Sequence, residues 1–456
     1  MDLLAPISRN VIAPLWAAWE RSPYLRHHRR LLRTQFDPPD SIRQQQWERL
    51  KPLLRHAVDT TSFWRIRFQK AGFAPEHIRS FEDFCRLPLL TKADLRAHHE
   101  EMLSETSRNA DLHHKKTSGS TGTTVEVSVD DDAQQFKRAC TLRSDEWSGW
   151  RLGERVAAVW GNPGYLKRGW RGRLRNALLE RCTFLDTLKM TSAAIEAYAT
   201  ELRRRPPSLL FGHAHSLFLF AEFIKSRGVA AIRPKGIIST AMVLHDWERR
   251  TIEEVFQCKV TNRYGCEEVS LIACECEQHN GLHINADGIY LEVLRADGMP
   301  CGLGESGRIV VTDLVNRAMP ILRYQVGDMG ALSDRRCPCG RGLPLLEKIE
   351  GRIADYVVTP SGEMISGISL TENFAVMVSG IAQLQIVQEE VDRFVFRIVK
   401  GPEFGPQSLE TIGALVAERF GVNIRYECEF VDRIPQEPSG KYRFCISKVT
   451  QHVSTY

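Results

Sequence analysis

No stretch of the 456-residue chain is long and apolar enough to cross a bilayer. Its most apolar segment, Leu209 to Ile224, is short and is interrupted by two histidines and a glutamate, so it reads as a buried helix with a strand candidate, Leu209–Phe211, at its start. The beginning of the chain, Met1 to Pro6, lacks a basic region followed by an apolar segment and a small-residue cleavage site, which argues against secretion and for the cytoplasm. Low-complexity tracts and internal repeats are missing as well. With 43% hydrophobic, 26% charged and 9% aromatic residues, the composition is that of a chain folded throughout. Excess charge of one sign is also scarce: a formal +5 falls short of the basic footprint of a nucleic-acid-binding domain and suits anionic small substrates. Two local basic runs, Lys167 to Arg175 and Arg203 to Arg205, read as solvated faces, with phosphate binding as the alternative.

What is present in number is cysteine, twelve in all. In a long cytoplasmic chain these are expected to be reduced, and a tight cluster among them is a metal candidate.

A chain of this length exceeds what one core usually fills, so at least two domains are expected. From Ser41 to about Ala97 the apolar residues recur at helical spacing, broken by Pro88 and Thr91. Strand and helix candidates then alternate: Arg155–Trp160, the helix Ala193 to Arg204, Leu209–Phe211, the helix Leu217 to Arg227, Gly236–Ser239, the helix His245 to Phe256 and Lys259–Tyr264. Such alternation predicts an α/β sheet. From Gly288 short alternating runs with glycine and proline turns, such as Ile289–Leu294 and Gly307–Thr312, predict a mainly antiparallel region. Beyond a joint near Gly351, the segments Ile386–Glu390, Phe394–Val399, the helix Pro406 to Phe420 and Ile424–Phe430 read as a small β/α unit. The expected fold class is therefore α/β. A large domain spans residues 1–350, with a mostly helical lead-in over 1–100, an α/β part over 110–287 and a β-rich part over 288–350. A small α+β domain follows over 351–456.

Every residue from Thr117 to Thr124 is either glycine or a hydroxyl residue. Such a segment offers backbone N–H groups and side-chain donors to an oxyanion without bulk in the way. It lacks the Gly-Lys-Ser/Thr ending of a Walker A loop, which argues against a P-loop kinase or ATPase. Taken alone it is equally a flexible surface loop.

Its neighbours decide. The loop resembles the phosphate loop of the adenylate-forming superfamily of acyl-CoA synthetases, nonribosomal adenylation domains and luciferases. Four further motifs agree in order: Tyr264-Gly-Cys-Glu-Glu268, Tyr324-Gln-Val-Gly-Asp328, Gly351-Arg-Ile-Ala-Asp355 and Pro435 to Lys441. Within the superfamily the sequence is most similar to the phenylacetate-CoA ligase and capsule-biosynthesis branch. The marks of that branch are His56-Ala57, Leu87-Pro-Leu-Leu-Thr-Lys92, Cys276 to His283 and Cys337-Pro-Cys-Gly-Arg341. The resemblance runs from about Ser41 to near the end of the chain.

The resemblance implies ATP-dependent activation of a carboxylic acid to acyl-AMP with release of pyrophosphate, then transfer to coenzyme A. Ser118, Gly119, Ser120, Thr121, Gly122 and Thr123 would hold the β- and γ-phosphates. Glu268 would help bind Mg²⁺, a hard cation that wants anionic oxygen ligands. Tyr264 and Gly265 would flank the adenine, Asp328 would accept bonds from both ribose hydroxyls, and Arg352 would reach the ribose or phosphate region. Lys441, on a mobile loop of the small domain, would set a point charge against the transferring groups. Glu267 stands where the family usually has threonine, and Ala354 where the hinge usually has aspartate. The basic run Lys167 to Arg175 is a candidate for the phosphates of coenzyme A. Residues around Gly161, Phe211 to Ser216, Ser239 to Met242 and Tyr264 are expected to shape the acid pocket, whose preferred acid is not legible.

By likeness to family members that carry zinc, Cys276, His283, Cys337 and Cys339 would form a structural Zn²⁺ site, with Cys274 and His279 in reserve. Reduced thiols and a solvated histidine are the plain alternative, because the spacing is not that of a zinc ribbon. Other functions stay open: acyl transfer to an amine or sugar amine, a catalytically silent scaffold of the same fold, and a nucleic-acid-binding zinc module. The partners expected are a small carboxylic acid, ATP and coenzyme A, with no nucleic acid and no membrane span; a homodimer stays open.

Overall fold

The computed structural model describes residues 2–449 apart from 108–109, 118–124, 161–168, 188–189, 230–231, 243, 245, 296, 351–355, 361–363, 367–369, 371–373, 375–376, 422 and 435–444. The chain divides into two compact units, Met1–Thr117 with Val125–Glu154 and Val260–Gly351, and Ser118–Thr124 with Arg155–Lys259 and Arg352–Tyr456.

In the first unit the helical lead-in follows the apolar spacing. The helix Pro39–Thr60 buries Ile42, Gln46, Leu50, Leu53, Leu54 and Ala57, the i, i+4, i+8 stripe of one face. Thr61 ends it and caps the next helix, Ser62–Lys70, by accepting a bond from the Trp64 backbone. The break expected at Thr91 is a helix start: Thr91 and Asp94 form a reciprocal capping box for Lys92–Ala97. These helices share one core with the sheet, and the Trp64 indole donates to the Pro320 carbonyl at 2.9 Å.

The sheet of this unit has its strands in the order Ile289–Leu294, Gly307–Asp313, Tyr324–Ser333, Leu345–Glu350, Leu282–Ile284, Ser270–Glu275 and Val260–Cys266, every neighbour antiparallel. The antiparallel region therefore begins at Val260, earlier than the texture change near Gly288. The cause is the turn after Tyr264. A Cβ at Gly265 would stand 2.5 Å from the Ser270 carbonyl, and Ser270 itself is left-handed at φ 72°, so the chain folds back on itself within a few residues. The helix Asp131–Glu146, capped by Asp130, packs on this sheet through Phe136, Ala139 and Cys140. A separate hairpin pairs His113–Thr117 with Val125–Val129, Thr117 opposite Val125.

The Leu87 to Lys92 segment has a structural task. Leu90 donates to the Arg323 carbonyl and accepts from Gln325, each at 2.9 Å, so it braces the entry to the strand Tyr324–Ser333. Arg323 is left-handed at φ 50° and buried; its guanidinium grips Glu292 at 2.8 and 3.1 Å and donates to the Leu87 carbonyl. The positive φ is held by contacts on both sides of the residue.

In the second unit the strands Cys182–Asp186, Val156–Trp160, Leu209–His213 and Gly236–Thr240 lie in that order, all parallel, with the helices Ser192–Arg204, Ala214–Ser226 and Asp246–Phe256 in the connections. The apolar stretch from Leu209 is thus a central strand that turns into a helix at Ala214. The C-terminal part has its own four-stranded sheet, ordered Arg425–Phe430, Arg393–Lys400, Ile381–Glu390 and Cys445–Ser447. The helix Pro406–Phe420 closes a core of Leu384, Ile386, Phe394, Phe396, Ile412 and Phe420. The observed class is the α/β one expected.

Replacing Arg323 with methionine would leave Glu292, itself buried, without its partner. We expect a loss of about 3–5 kcal/mol, read as a lower melting temperature than that of an Arg43→Met control, whose pair with Glu82 is exposed. Equal melting of the two variants would contradict the bracing role.

Candidate functional site

Two of the sequence motifs meet across the antiparallel sheet of the first unit, and they meet crosswise. The Tyr264 hydroxyl donates to the Asp328 carboxylate at 2.9 Å, and the Tyr324 hydroxyl donates to the Glu268 carboxylate at 2.8 Å. Each tyrosine opens one motif and bonds the acid that closes the other. Glu268 and Tyr324 are buried, whereas Tyr264 and Asp328 are half-buried and Gly265 is exposed. One carboxylate therefore sits inside the wall of the site and the other at its surface. Each accepts a hydrogen bond from a neutral hydroxyl donor that orients it.

Beside Glu268, Cys266 is held as a thiol. Burial first, and then the neighbouring Glu268 carboxylate, push its thiol well above the ordinary range. Glu267 is exposed beside it.

The hairpin supplies the next feature. Its register ends the strands on either side of residues 118–124 next to each other, at Thr117 and Val125. Strand alternation places Lys115 on the same face as Thr117. The Lys115 ammonium donates to the Ser270 hydroxyl at 2.9 Å, which ties this hairpin to the turn that carries Glu268. Burial, reinforced by repulsion from Lys137, lowers Lys115 to about 8, with Glu267 pulling the other way. Sequence reasoning passed over Lys115 and gave Tyr324 no role. The first was legible as a charge two residues before the loop; the second needed the fold.

Ser118, Gly119, Ser120, Thr121, Gly122, Thr123, Arg352 and Lys441 lie outside the described residues, as do Ala354 and Gly161. Among the described candidates, Tyr264, Gly265, Glu268 and Asp328 are brought together.

A second cluster gathers the four residues singled out as zinc ligands. The donor atoms of Cys276, His283, Cys337 and Cys339 all lie within 4.8 Å of one another. Cys276 Sγ is 3.5 Å from Cys337 Sγ, and Cys339 Sγ is 3.3 Å from His283 Nε2. Backbone N–H groups two residues on, from Gln278 and Arg341, point at the sulfurs of Cys276 and Cys339 at 3.4 and 3.5 Å. His283 Nδ1 lies 3.2 Å from the Leu343 carbonyl, an orientation that presents Nε2 to the cluster. Burial lowers His283 to about 4, which keeps the imidazole neutral, the form that binds metals. The donor set fits a closed tetrahedral site. The reserve residues stay out of it: Cys274 is fully buried beyond the cluster, and the His279 ring faces Glu275 at 3.4 Å.

In the second unit, aromatic rings collect at the carboxyl ends of the parallel strands. The Trp160 ring lies 3.9 Å from that of His213 and stacks on Phe211 at 5.1 Å, while His213 pairs with Thr240 in register. His213 Nδ1 and the Ser239 hydroxyl are buried without a hydrogen-bond partner among the described residues. Burial holds His213 down at about 4, hence neutral. Orphaned polar atoms at the carboxyl edge of a parallel sheet are where a ligand is expected in such folds.

Residues 357–448 match the family described as the CapK C-terminal domain. The chain is 30% identical over 336 residues to a phenylacetate-coenzyme A ligase of Thermus thermophilus, covering 70% of this chain and 72% of the relative. It is 24% identical over 423 residues to the phenylacetate-coenzyme A ligase of Pseudomonas putida, covering 91% and 88%. Among solved structures, 2-hydroxyisobutyryl-CoA ligase in complex with 2-HIB-AMP and CoA superposes with a TM-score of 0.63 at 24% identity, over 91% of each chain.

Lys115 carries a testable sign. Its native value near 8 lies below the ordinary 10.5, so holding the charge in the folded state costs stability at pH below 8. As pH rises from 8 toward 10.5 the native lysine releases its proton before the unfolded one does, and that cost is relieved. The melting temperature of the native chain should therefore gain on that of Lys115→Met across this window. Parallel pH profiles of melting for the two proteins would rule out the buried ammonium.

Proposed function

The chain belongs to the phenylacetate-coenzyme A ligase family of adenylate-forming enzymes, and we propose that it activates a carboxylic acid with ATP and passes the acyl group to coenzyme A. The substrate carboxylate attacks the α-phosphorus, the bond to the β-phosphate breaks, and pyrophosphate leaves. The thiol of coenzyme A then attacks the acyl carbonyl of acyl-AMP, loses its proton, and AMP departs. The observation that carries the reading is the crossed pair of bonds, Tyr264 to Asp328 and Tyr324 to Glu268, which sets two acids of fixed geometry beside the hairpin bearing the hydroxyl-rich loop.

Each residue then has a task. Asp328, oriented by Tyr264, accepts from the ribose hydroxyls, because two hydroxyls need two acceptor oxygens on one rigid group. Gly265 leaves the adenine face open; a side chain there would strike the Ser270 backbone. Glu268 offers an anionic oxygen to the Mg²⁺ that travels with the nucleotide phosphates. Ser118 to Thr123 receive the phosphates, and Arg352 reaches toward the ribose. Lys441 brings a positive charge to the oxygens that become more anionic in the transition state, an interaction worth more there than in the ground state. The C-terminal domain, residues 351–456, exchanges positions between the two half-reactions, so that one site serves both.

The acid lies at the carboxyl edge of the parallel strands, against Trp160 and Phe211, with His213 Nδ1 and the Ser239 hydroxyl as polar contacts. That lining favours a flat or aromatic acyl group with one polar substituent over a long alkyl chain.

Cys276, His283, Cys337 and Cys339 would hold zinc, their donor atoms being gathered for it. When bound, the ion supplies no chemistry to the reaction and acts as a cross-link. Cys276 follows the strand Ser270–Glu275, which begins two residues after Glu268; Cys337 and Cys339 follow the strand Tyr324–Ser333, which contains Asp328. The clamp would thereby fix the far ends of the strand that contains Asp328 and of the strand that follows Glu268.

Pyrophosphate release should occur with ATP and one member of a carboxylic acid library, and a thioester should form only when coenzyme A is added. Transfer to an added amine with no thioester would replace the acceptor. Tyr264→Phe should raise the KM for ATP by up to about tenfold, the worth of one hydrogen bond, with kcat nearly unchanged. An unaltered KM would remove the orienting role of Tyr264. Metal analysis of the purified chain should find about one zinc per chain, and Cys339→Ser should lose it where Cys274→Ser does not. Equal zinc in the two variants would break the assignment.

A further inference from the structure

From Leu4 to Trp19 the most deeply buried residues are small ones. A continuous helical run comprises Leu4–Ile7, one π turn at Ser8–Ile12, and Ala13–Trp19. Its buried side is made of small residues, Ala5, Ser8, Ala13 and Ala17. They sit so close to the turn at Gly153 that a Cβ there would come within 2.8 Å of the Ala5 carbonyl and 2.9 Å of Ser8 Cβ, and Arg9 donates to the Leu152 carbonyl at 3.0 Å. Leu4, Ile12 and Trp16 are half-buried, whereas five large apolar residues face away: Leu3, Ile7, Val11, Leu15 and Trp19 are each 50–76% exposed.

They recur every four residues without a break. On a pure α-helix such a repeat would drift by about 40° at each step. The wider π turn winds against that drift and keeps the five side chains in one stripe. A stripe this regular, held outward by a backbone anchored through alanine and serine, is built to be covered.

Charge identifies what covers it. In the next helix, Tyr24–Thr34, the residues Tyr24, His28 and Leu31 face inward, while Arg26, Arg29, Arg30 and Arg33 are exposed along the opposite side. None of these four arginines pairs with a carboxylate among the described residues. Over residues 2–36 six arginines face two acids, Asp2 and Glu20, a net of +4 out of the +5 of the whole chain. An apolar ridge carrying a tryptophan, followed at once by a row of unpaired arginines, complements an anionic bilayer surface. A second copy of this chain would bring the same arginines against themselves. The run is also too short to span a bilayer and is fixed to the body along one side, so it lies in the plane of the surface.

We propose that this N-terminal segment docks the enzyme on an anionic membrane surface, with Leu3, Ile7, Val11, Leu15 and Trp19 entering the headgroup and acyl boundary and Arg26, Arg29, Arg30 and Arg33 meeting lipid phosphates. The test is co-sedimentation of the full chain with vesicles of phosphatidylcholine alone or with about 30% phosphatidylglycerol, alongside its mass in solution by light scattering. Binding to the anionic vesicles should exceed that to the neutral ones by about tenfold and fall as salt is raised from about 0.1 to 0.5 M. The Ile7→Ser/Val11→Ser/Leu15→Ser variant should lose it. The Arg26→Gln/Arg29→Gln/Arg30→Gln/Arg33→Gln variant should bind both vesicle types equally and weakly, and both variants should melt like the native chain. Absent or equal binding of the native chain to the two vesicle types would overturn the proposal. So would a native dimer that the serine variant dissolves, which would give the stripe to a second copy.

Discussion

The crossed tyrosine–carboxylate bonds are the constraint around which the first unit is organised. Tyr264 and Asp328 lie on strands that are not neighbours in the sheet, as do the Glu268 turn and Tyr324, so each bond measures the correctness of several strand pairings at once. A slip of one residue in the strand that carries either tyrosine would turn that tyrosine to the wrong face and break its bond. The bracing of Arg323 by Leu87, Leu90 and Glu292, the glycine at 265 and the left-handed Ser270 all protect that register. The buried bond restrains Glu268 and the half-exposed one leaves Asp328 within reach of a ligand, so a single device gives two acids different accessibility.

In the first unit buried charge is matched, Arg323 with Glu292 and Arg143 with Asp287. At the edge of the parallel sheet, His213 and Ser239 are buried with an unmet hydrogen-bonding capacity. Matched groups hold a shape; unmet ones cost stability until something arrives to satisfy them. Under the proposed function a nucleotide would meet preset geometry, whereas an acid would satisfy these unmet groups.

Much of this was legible because it is local. The motif words containing Glu268 and Asp328, the capping box at Thr91, the alternation of strand and helix up to Phe256 and the helix Pro406–Phe420 all depend on spacing within a few residues. What escaped was long-range. The strand Cys182–Asp186 is a half-exposed edge with little alternation to announce it. A strand such as Val260–Cys266 reads the same whether its partner runs parallel or antiparallel, so the start of the antiparallel sheet was placed late. Tyr324 could be seen as part of a motif, but its partner lies 56 residues away. The outward stripe from Leu3 to Trp19 misleads for another reason: periodic apolar residues ordinarily mark the buried face, and here alanines occupy it.

The discontinuity of the first unit bears on how the protein is made. The four parallel strands come from one uninterrupted segment, 155–259, and can pair as soon as that segment leaves the ribosome. The antiparallel sheet cannot. Its helices are translated first, yet every strand of it arrives after that segment, and its middle strands, Tyr324–Ser333 and Leu345–Glu350, arrive last. The helical lead-in must therefore wait, with the apolar surface meant for those strands exposed, until synthesis passes Gly351. Completion of the first unit is thus timed by translation, and its apolar surface is most exposed in the nascent chain.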